Sequence, residues 1–186
     1  MAEKKEGFEI IKVGIILFAI TAVAALILAK VNDVTKPIIE EQEIEKMQAA
    51  MAEVLPEADV FEEVPLELSE ESTLTKIYKT DAGYVVFAAP KGYGGEITMA
   101  IGIDAEFKVA GLSIISQSET AGLGAKCTEK AWQNQFIGKT EDIQVVKNGA
   151  KDNQIDAISS ATITSKAVTK AVNEALKAAK ILGGEE

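Results

Sequence analysis

The 186-residue chain contains no histidine and no arginine, and Cys127 is its single cysteine. Ser-His-Asp triads, His-ligated metal sites, four-cysteine zinc sites and Cys-ligated iron–sulfur clusters cannot be built from such a chain. An intramolecular disulfide is excluded as well, so cysteine pairing says nothing about compartment. No metal ligand set and no self-contained catalytic residues are expected, and any redox chemistry falls to an organic cofactor. The length suits about one domain, 47% of residues are apolar, and the formal net charge is −10.

Charge is missing altogether from Val13 to Ala29, a run bounded by Lys12 and Lys30. At 1.5 Å per residue it reaches about 26 Å, the low end for a spanning helix, and Ile10, Ile11 and a snorkelling Lys12 extend it. A cleaved signal peptide fits less well, because the apolar stretch is long and runs into Lys-Val-Asn-Asp without a small-x-small cleavage site. A buried core helix fits worse still, because the run is apolar on every face. The expectation is an uncleaved anchor, with Lys4, Lys5 and Lys12 ahead of it favouring a cytoplasmic N-terminus. Before the span three lysines balance Glu3, Glu6 and Glu9, so the whole excess of negative charge lies beyond it, which argues against nucleic acid as a partner.

Four regions follow: a cytoplasmic N-terminus over 1–12, a transmembrane helix over 13–29, an amphipathic helix and linker over 30–72, and a soluble domain over 73–186. Pro37 opens a segment that reads as a helix closed by Pro56, with Ile44, Met47, Met51 and Val54 in one apolar stripe suited to lying on its own domain. A hairpin is expected from LTKIYKT, a turn at Asp81-Ala82-Gly83, and YVVFAA. GEITMAIGI and KVAGLSIIS continue the strand texture around Asp104-Ala105. Thr128 to Phe136 reads as a short helix, and Asp142 to Val146 and Asn153 to Ile158 as extended pieces. Ser165 to Leu182 reads as a helix, capped by Ser165 and ended by Gly183-Gly184.

Three loops offer chemistry. Lys91-Gly92-Tyr93-Gly94-Gly95-Glu96-Ile97 either lets a backbone approach a ligand beside the flat face of Tyr93 or is a glycine-rich hairpin turn. Ser118 to Lys126 carries Glu119, Thr120 and Lys126 as polar groups able to orient a ligand. Cys127 beside it reads as a buried filler. The tract Asp156 to Ser165 crosses into the last helix with hydroxyls at Ser159, Ser160, Thr162, Thr164 and Ser165. Such a tract serves equally as an anion site for phosphate or as a helix cap.

Asp156-x-x-Ser159-Ser160-Ala161-Thr162, followed by Thr164-Ser165, resembles the flavinylation motif D-x-x-(S/T)-G-A-T. That motif belongs to the FMN-binding domain of the G subunit of Rnf ion-translocating electron-transport complexes and the C subunit of sodium-pumping NADH:quinone reductases. Gly92-Tyr93-Gly94-Gly95-Glu96-Ile97 is similar to the family's G-Y-x-G-x-I element, and Glu119-Thr120-Ala121-Gly122-Leu123-Gly124 to its E-T-P-G-L-G element. Ser160 stands where the motif has Gly, and Ala121 where the second element has Pro. Compact length and the pattern favour the Rnf G subunit over its sodium-pump relative.

The resemblance implies an α+β protein, with one transmembrane helix followed by an FMN-binding domain over 73–186 that has an antiparallel sheet and flanking helices. It implies that a flavin transferase joins the FMN phosphate to Thr162 through a phosphoester, recognising Asp156. Tyr93 and Gly94 from the first loop, Glu119, Thr120, Gly122, Leu123, Gly124 and Lys126 from the second, and Ser159, Ser160, Ala161, Ile163 and Thr164 from the third would contact the cofactor. Tyr93, Leu123 or Trp132 would pack on the ring. The implied function is electron transfer within a ferredoxin:NAD+ oxidoreductase that translocates Na+ or H+. Implied partners are the other Rnf-type subunits, membrane-embedded and flavin-carrying ones among them, the transferase and membrane lipid. The FMN domain is expected outside the cytoplasmic membrane. A non-redox assembly subunit, or a free-standing extracytoplasmic FMN-binding protein, are the rival expectations.

Overall fold

The computed structural model describes residues 2–65 and 72–184. Linker residues 66–71 and the domain's last two residues, 185–186, thus lie outside the described residues. The chain divides between Glu45 and Lys46 into two compact units.

All described residues of the first unit are helical and belong to α1, Ala2–Val54. From Lys12 onward the helix carries a window with a mean hydropathy of 2.5, none of it buried against protein, so it is long and apolar enough to cross a membrane. Pro37 does not begin a new helix as its sequence position suggested; it sits inside α1. Proline lacks the N–H that would bond the carbonyl four residues earlier. Helix-forming Glu, Gln, Lys, Met and Ala residues dominate the sequence beyond it and carry the helix through. Ile44, the first residue of the expected stripe, remains 57% exposed.

In the second unit an antiparallel meander forms a five-stranded sheet in the order β1-β2-β3-β4-β5. Its strands are β1 (Phe61–Val64), β2 (Leu74–Thr80), β3 (Gly83–Ala88), β4 (Ile97–Asp104) and β5 (Val109–Gln117). The expected hairpins are present, and β1 is an addition. It lies in the stretch read as linker and pairs Phe61 with Thr80 and Val64 with Ile77. A four-residue FEEV segment has too little alternation to announce itself as a strand.

Each sheet face has its own cover. Tyr84, Val86 and Ala88 of β3 and Ile97, Met99, Ile101 and Ile103 of β4 face the larger core, which α3 (Thr162–Gly183) closes with Val168, Val172, Ala175, Leu176 and Ala179. On the opposite face Val85, Phe87 and Ala100 meet Ala50, Met51, Val54 and Leu55. Every residue of β3 is consequently buried. Where one helix was expected over Thr128 to Phe136, the chain forms α2 (Lys130–Gln133) and a tighter turn at Asn134–Phe136, preceded by another at Gly124–Thr128. Last come two parallel three-residue strands, β6 (Gln144–Val146) and β7 (Gln154–Asp156).

Candidate functional site

β4 begins just after the 91–97 loop, and β5 ends just before the 118–126 loop. Because β4 and β5 pair with Ile97 opposite Gln117, the antiparallel register brings these two loops to one end of the sheet. β7 leads into α3 through Ala157–Ala161, which delivers the third loop to the same end. All three line one cavity of about 540 Å3, with Tyr93 from the first, Glu119, Thr120, Leu123 and Gly124 from the second and Ser160 to Thr164 from the third. That volume lies in the range of small-molecule sites.

Glu119 holds the loops together. It is 8% exposed, and its Oε1 accepts a 2.8 Å hydrogen bond from the Gly94 amide while Oε2 accepts one of 2.5 Å from the Thr164 hydroxyl. Its own amide donates to Gln117 Oε1. Gly92 and Gly124 leave the space this carboxylate fills, since a Cβ on either would overlap it. Gly94 contributes through its amide rather than by lining the cavity.

The five hydroxyls of the third loop separate into two classes. Thr164 donates to Glu119, and Ser165 accepts from the Ile158 amide and donates to the Ala161 carbonyl. Ser165 therefore lies inside the first turn of α3, where a cap had been expected. The helix begins three residues earlier at Thr162, after Ala161, without a side-chain cap. Ser159, Ser160 and Thr162 are exposed. The first turn of α3 consequently presents uncapped amides and the positive end of its dipole beside an exposed Thr162 hydroxyl. This suits a phosphate, and Tyr93, Leu123 and Ile163, which are 73%, 42% and 56% exposed, supply apolar surface around it for a flat ring.

Ser160 has φ 61°. Left-handed backbone favours glycine, which is the residue the flavinylation motif carries at this position. Serine holds the turn at a cost in strain.

Several residues named from the sequence lie elsewhere. Gly122 (φ 76°) and Ser159 flank the cavity without lining it, and Lys126 sits in the turn beyond it. Asp156 lies in β7, where its Oδ1 accepts from the Ala150 amide and its carbonyl accepts from Trp132 Nε1. Trp132 is thereby committed to the core, 7% exposed and in edge contact with Phe136, and does not line the cavity as had been expected. Burial, with the nearby Glu119 charge, pushes the Cys127 thiol up to about 11, which leaves it an inert filler. Sequence reasoning missed Gln117 as a support for Glu119; nothing in its strand context marks it.

Comparison with known proteins follows the same lines. A family model described as "FMN-binding domain" matches residues 92–177, and one described as "RnfG N-terminal region" matches residues 1–54. The chain is 42% identical to the G subunit of the Na(+)-translocating ferredoxin:NAD(+) oxidoreductase complex of Acetobacterium woodii, over 90% of both chains. The chain belongs to the family of Rnf G subunits. Another member of the family, the G subunit of the proton-translocating ferredoxin:NAD(+) oxidoreductase complex of Clostridium ljungdahlii, is 35% identical to this Rnf protein over 95% of both chains. Among solved structures, the C subunit of the Na(+)-translocating NADH-quinone reductase of Parabacteroides distasonis is similar to it at 26% identity. The TM-score is 0.46, with 57% of this chain and 59% of that one covered.

Proposed function

We propose that this chain is the FMN-bearing, electron-carrying subunit of a membrane-bound ferredoxin:NAD+ oxidoreductase of the Rnf type, with FMN esterified through its phosphate to Thr162. The observation that carries the reading is the convergence of three loops, separate in sequence, on one cavity whose rim bears an exposed threonine hydroxyl at an uncapped helix N-terminus. Its family membership supports the same reading, since relatives in that family are named as subunits of Na+- or proton-translocating complexes.

FMN, when bound, supplies the capacity to take up and release electrons singly. Everything else falls to the chain. The amides of the first turn of α3 would hold the phosphate, Tyr93, Leu123 and Ile163 would pack against the ring, and Thr120 would offer it a hydroxyl. The ester needs only the Thr162 hydroxyl, so a chain without histidine is not handicapped. Asp156, outside the cavity and anchored in β7, is suited to recognition by a transferase rather than to contact with the flavin.

α1 anchors the chain in the cell membrane, and the lysines ahead of it favour a cytoplasmic N-terminus, with the FMN domain on the other side. Partners are the other membrane-embedded and flavin-carrying subunits of such a complex. Full-length chain co-expressed with a flavin transferase should gain the mass of FMN less one water and give a fluorescent band on a denaturing gel. Thr162→Ala should abolish both. A fluorescent Thr162→Ala band would move the linkage to another residue, and an unmodified wild-type chain would favour an assembly subunit without flavin.

A further inference from the structure

Glu119 lies in the wall of the cavity, yet both its oxygens are occupied by donors of the protein, the Gly94 amide and the Thr164 hydroxyl. No lysine ammonium pairs with it among the described residues. We propose that Glu119 is a positioning residue: it clamps the first and third loops together and places a negative charge beside the flavin, lowering its reduction potential. This inference rests on the reading of the cavity as the FMN site.

Three observations support it. The glycines at 92 and 124 are the residues whose side chains would displace this carboxylate, so the space around it is shaped for it. The two hydrogen bonds join segments 25 and 45 residues away in sequence, which no local interaction could hold in register. Its charge also reaches its surroundings, since it helps to raise the Cys127 thiol. A carboxylate as buried as Glu119 opposes the arrival of a further electron nearby more strongly than it would in water.

Two substitutions separate the clamp from the charge. Glu119→Gln keeps the shape, with the amide oxygen accepting from Gly94 and the amide N–H donating to a reversed Thr164 hydroxyl. Glu119→Ala removes both bonds. In flavin-loaded full-length chain, redox titration of Glu119→Gln should show the oxidised-to-reduced equilibrium shifted about tenfold toward reduced flavin. For a two-electron couple that is about 30 mV more positive. An unchanged midpoint would overturn the charge role. In flavin-free full-length chain, amide hydrogen exchange at Gly94 should accelerate at least about tenfold in Glu119→Ala and stay near wild type in Glu119→Gln. Equal exchange in all three would overturn the clamp. The titration reads bound FMN whether covalent or not, so a failure of the Thr162 linkage registers separately, as flavin lost on denaturation.

Discussion

At the scale of single residues, the site is governed by which hydroxyls and carboxylates are already occupied. Five hydroxyls crowd the start of α3, but Thr164 and Ser165 are bound into the fold, which leaves Thr162 exposed at the helix end. Ser160, two residues before it, occupies the left-handed region at φ 61°. For a residue with a Cβ that conformation costs roughly 1–2 kcal/mol, while glycine there forfeits about 0.5–1 kcal/mol of unfolded-state entropy. Ser160→Gly is therefore expected to stabilise the full-length protein by up to about 1 kcal/mol, read as a rise in Tm. A fall would mean that the serine hydroxyl contributes more than its backbone strain removes.

Among the elements, the central sheet is held from both faces, and each cover depends on a specific contact. Gly102 and Gly111 pair across β4 and β5, and a Cβ on either would run into the backbone of Val54 at the end of α1. A backbone atom cannot swing aside as a side-chain tip can. Gly102→Ala should lower stability by about 1–3 kcal/mol, measured as a lower urea midpoint of the full-length chain in detergent. On the other face α3 reaches the start of β2 through Glu174, whose Oε2 accepts from the Thr73 hydroxyl and amide at 2.5 and 2.9 Å. Burial works to raise the Glu174 pKa, but the two Thr73 bonds and Lys170 outweigh it, and the carboxyl titrates below its ordinary 4.5. A group with a depressed folded pKa contributes stability above its unfolded pKa and loses it as pH falls through the folded one. Glu174→Gln should thus flatten the acid limb of the stability profile below about pH 4.5 and change little at pH 7 beyond a constant offset. An unaltered acid limb would count against this contact.

For the whole molecule, charge and hydropathy are divided along the chain. The uncharged run of α1 bears none of the net −10, which falls on the residues beyond it. A net charge of that size is sufficient to keep the domain soluble. With the N-terminus in the cytoplasm, protease added to intact cells should digest residues 73–186 and leave the α1 span. Digestion restricted to inverted vesicles would reverse the orientation. Much of this organisation was legible in sequence. The span was visible as missing charge, β2 to β5 as apolar alternation between turn residues, and the three loops as glycine-rich or hydroxyl-rich breaks. Less visible were β1, the passage of α1 through Pro37 and the start of α3 at Thr162, because each is settled by neighbours distant in sequence or by helix context on both sides.

By itself, the sequence determined that any redox chemistry falls to an organic cofactor, that this protein has one segment fit for a membrane, and that Thr162 lies in a hydroxyl-rich tract suited to a phosphate or to a helix cap. These follow from residue type and short-range spacing, which survive any arrangement of the rest. Only the tertiary structure decided that Glu119 faces inward to bind Gly94 and Thr164, that Trp132 belongs to the core, and that Thr162 stays exposed while Thr164 does not. The register of β4 on β5 and the approach of α3 to the sheet end set those relations, and they join residues too far apart in the chain for local propensity to specify.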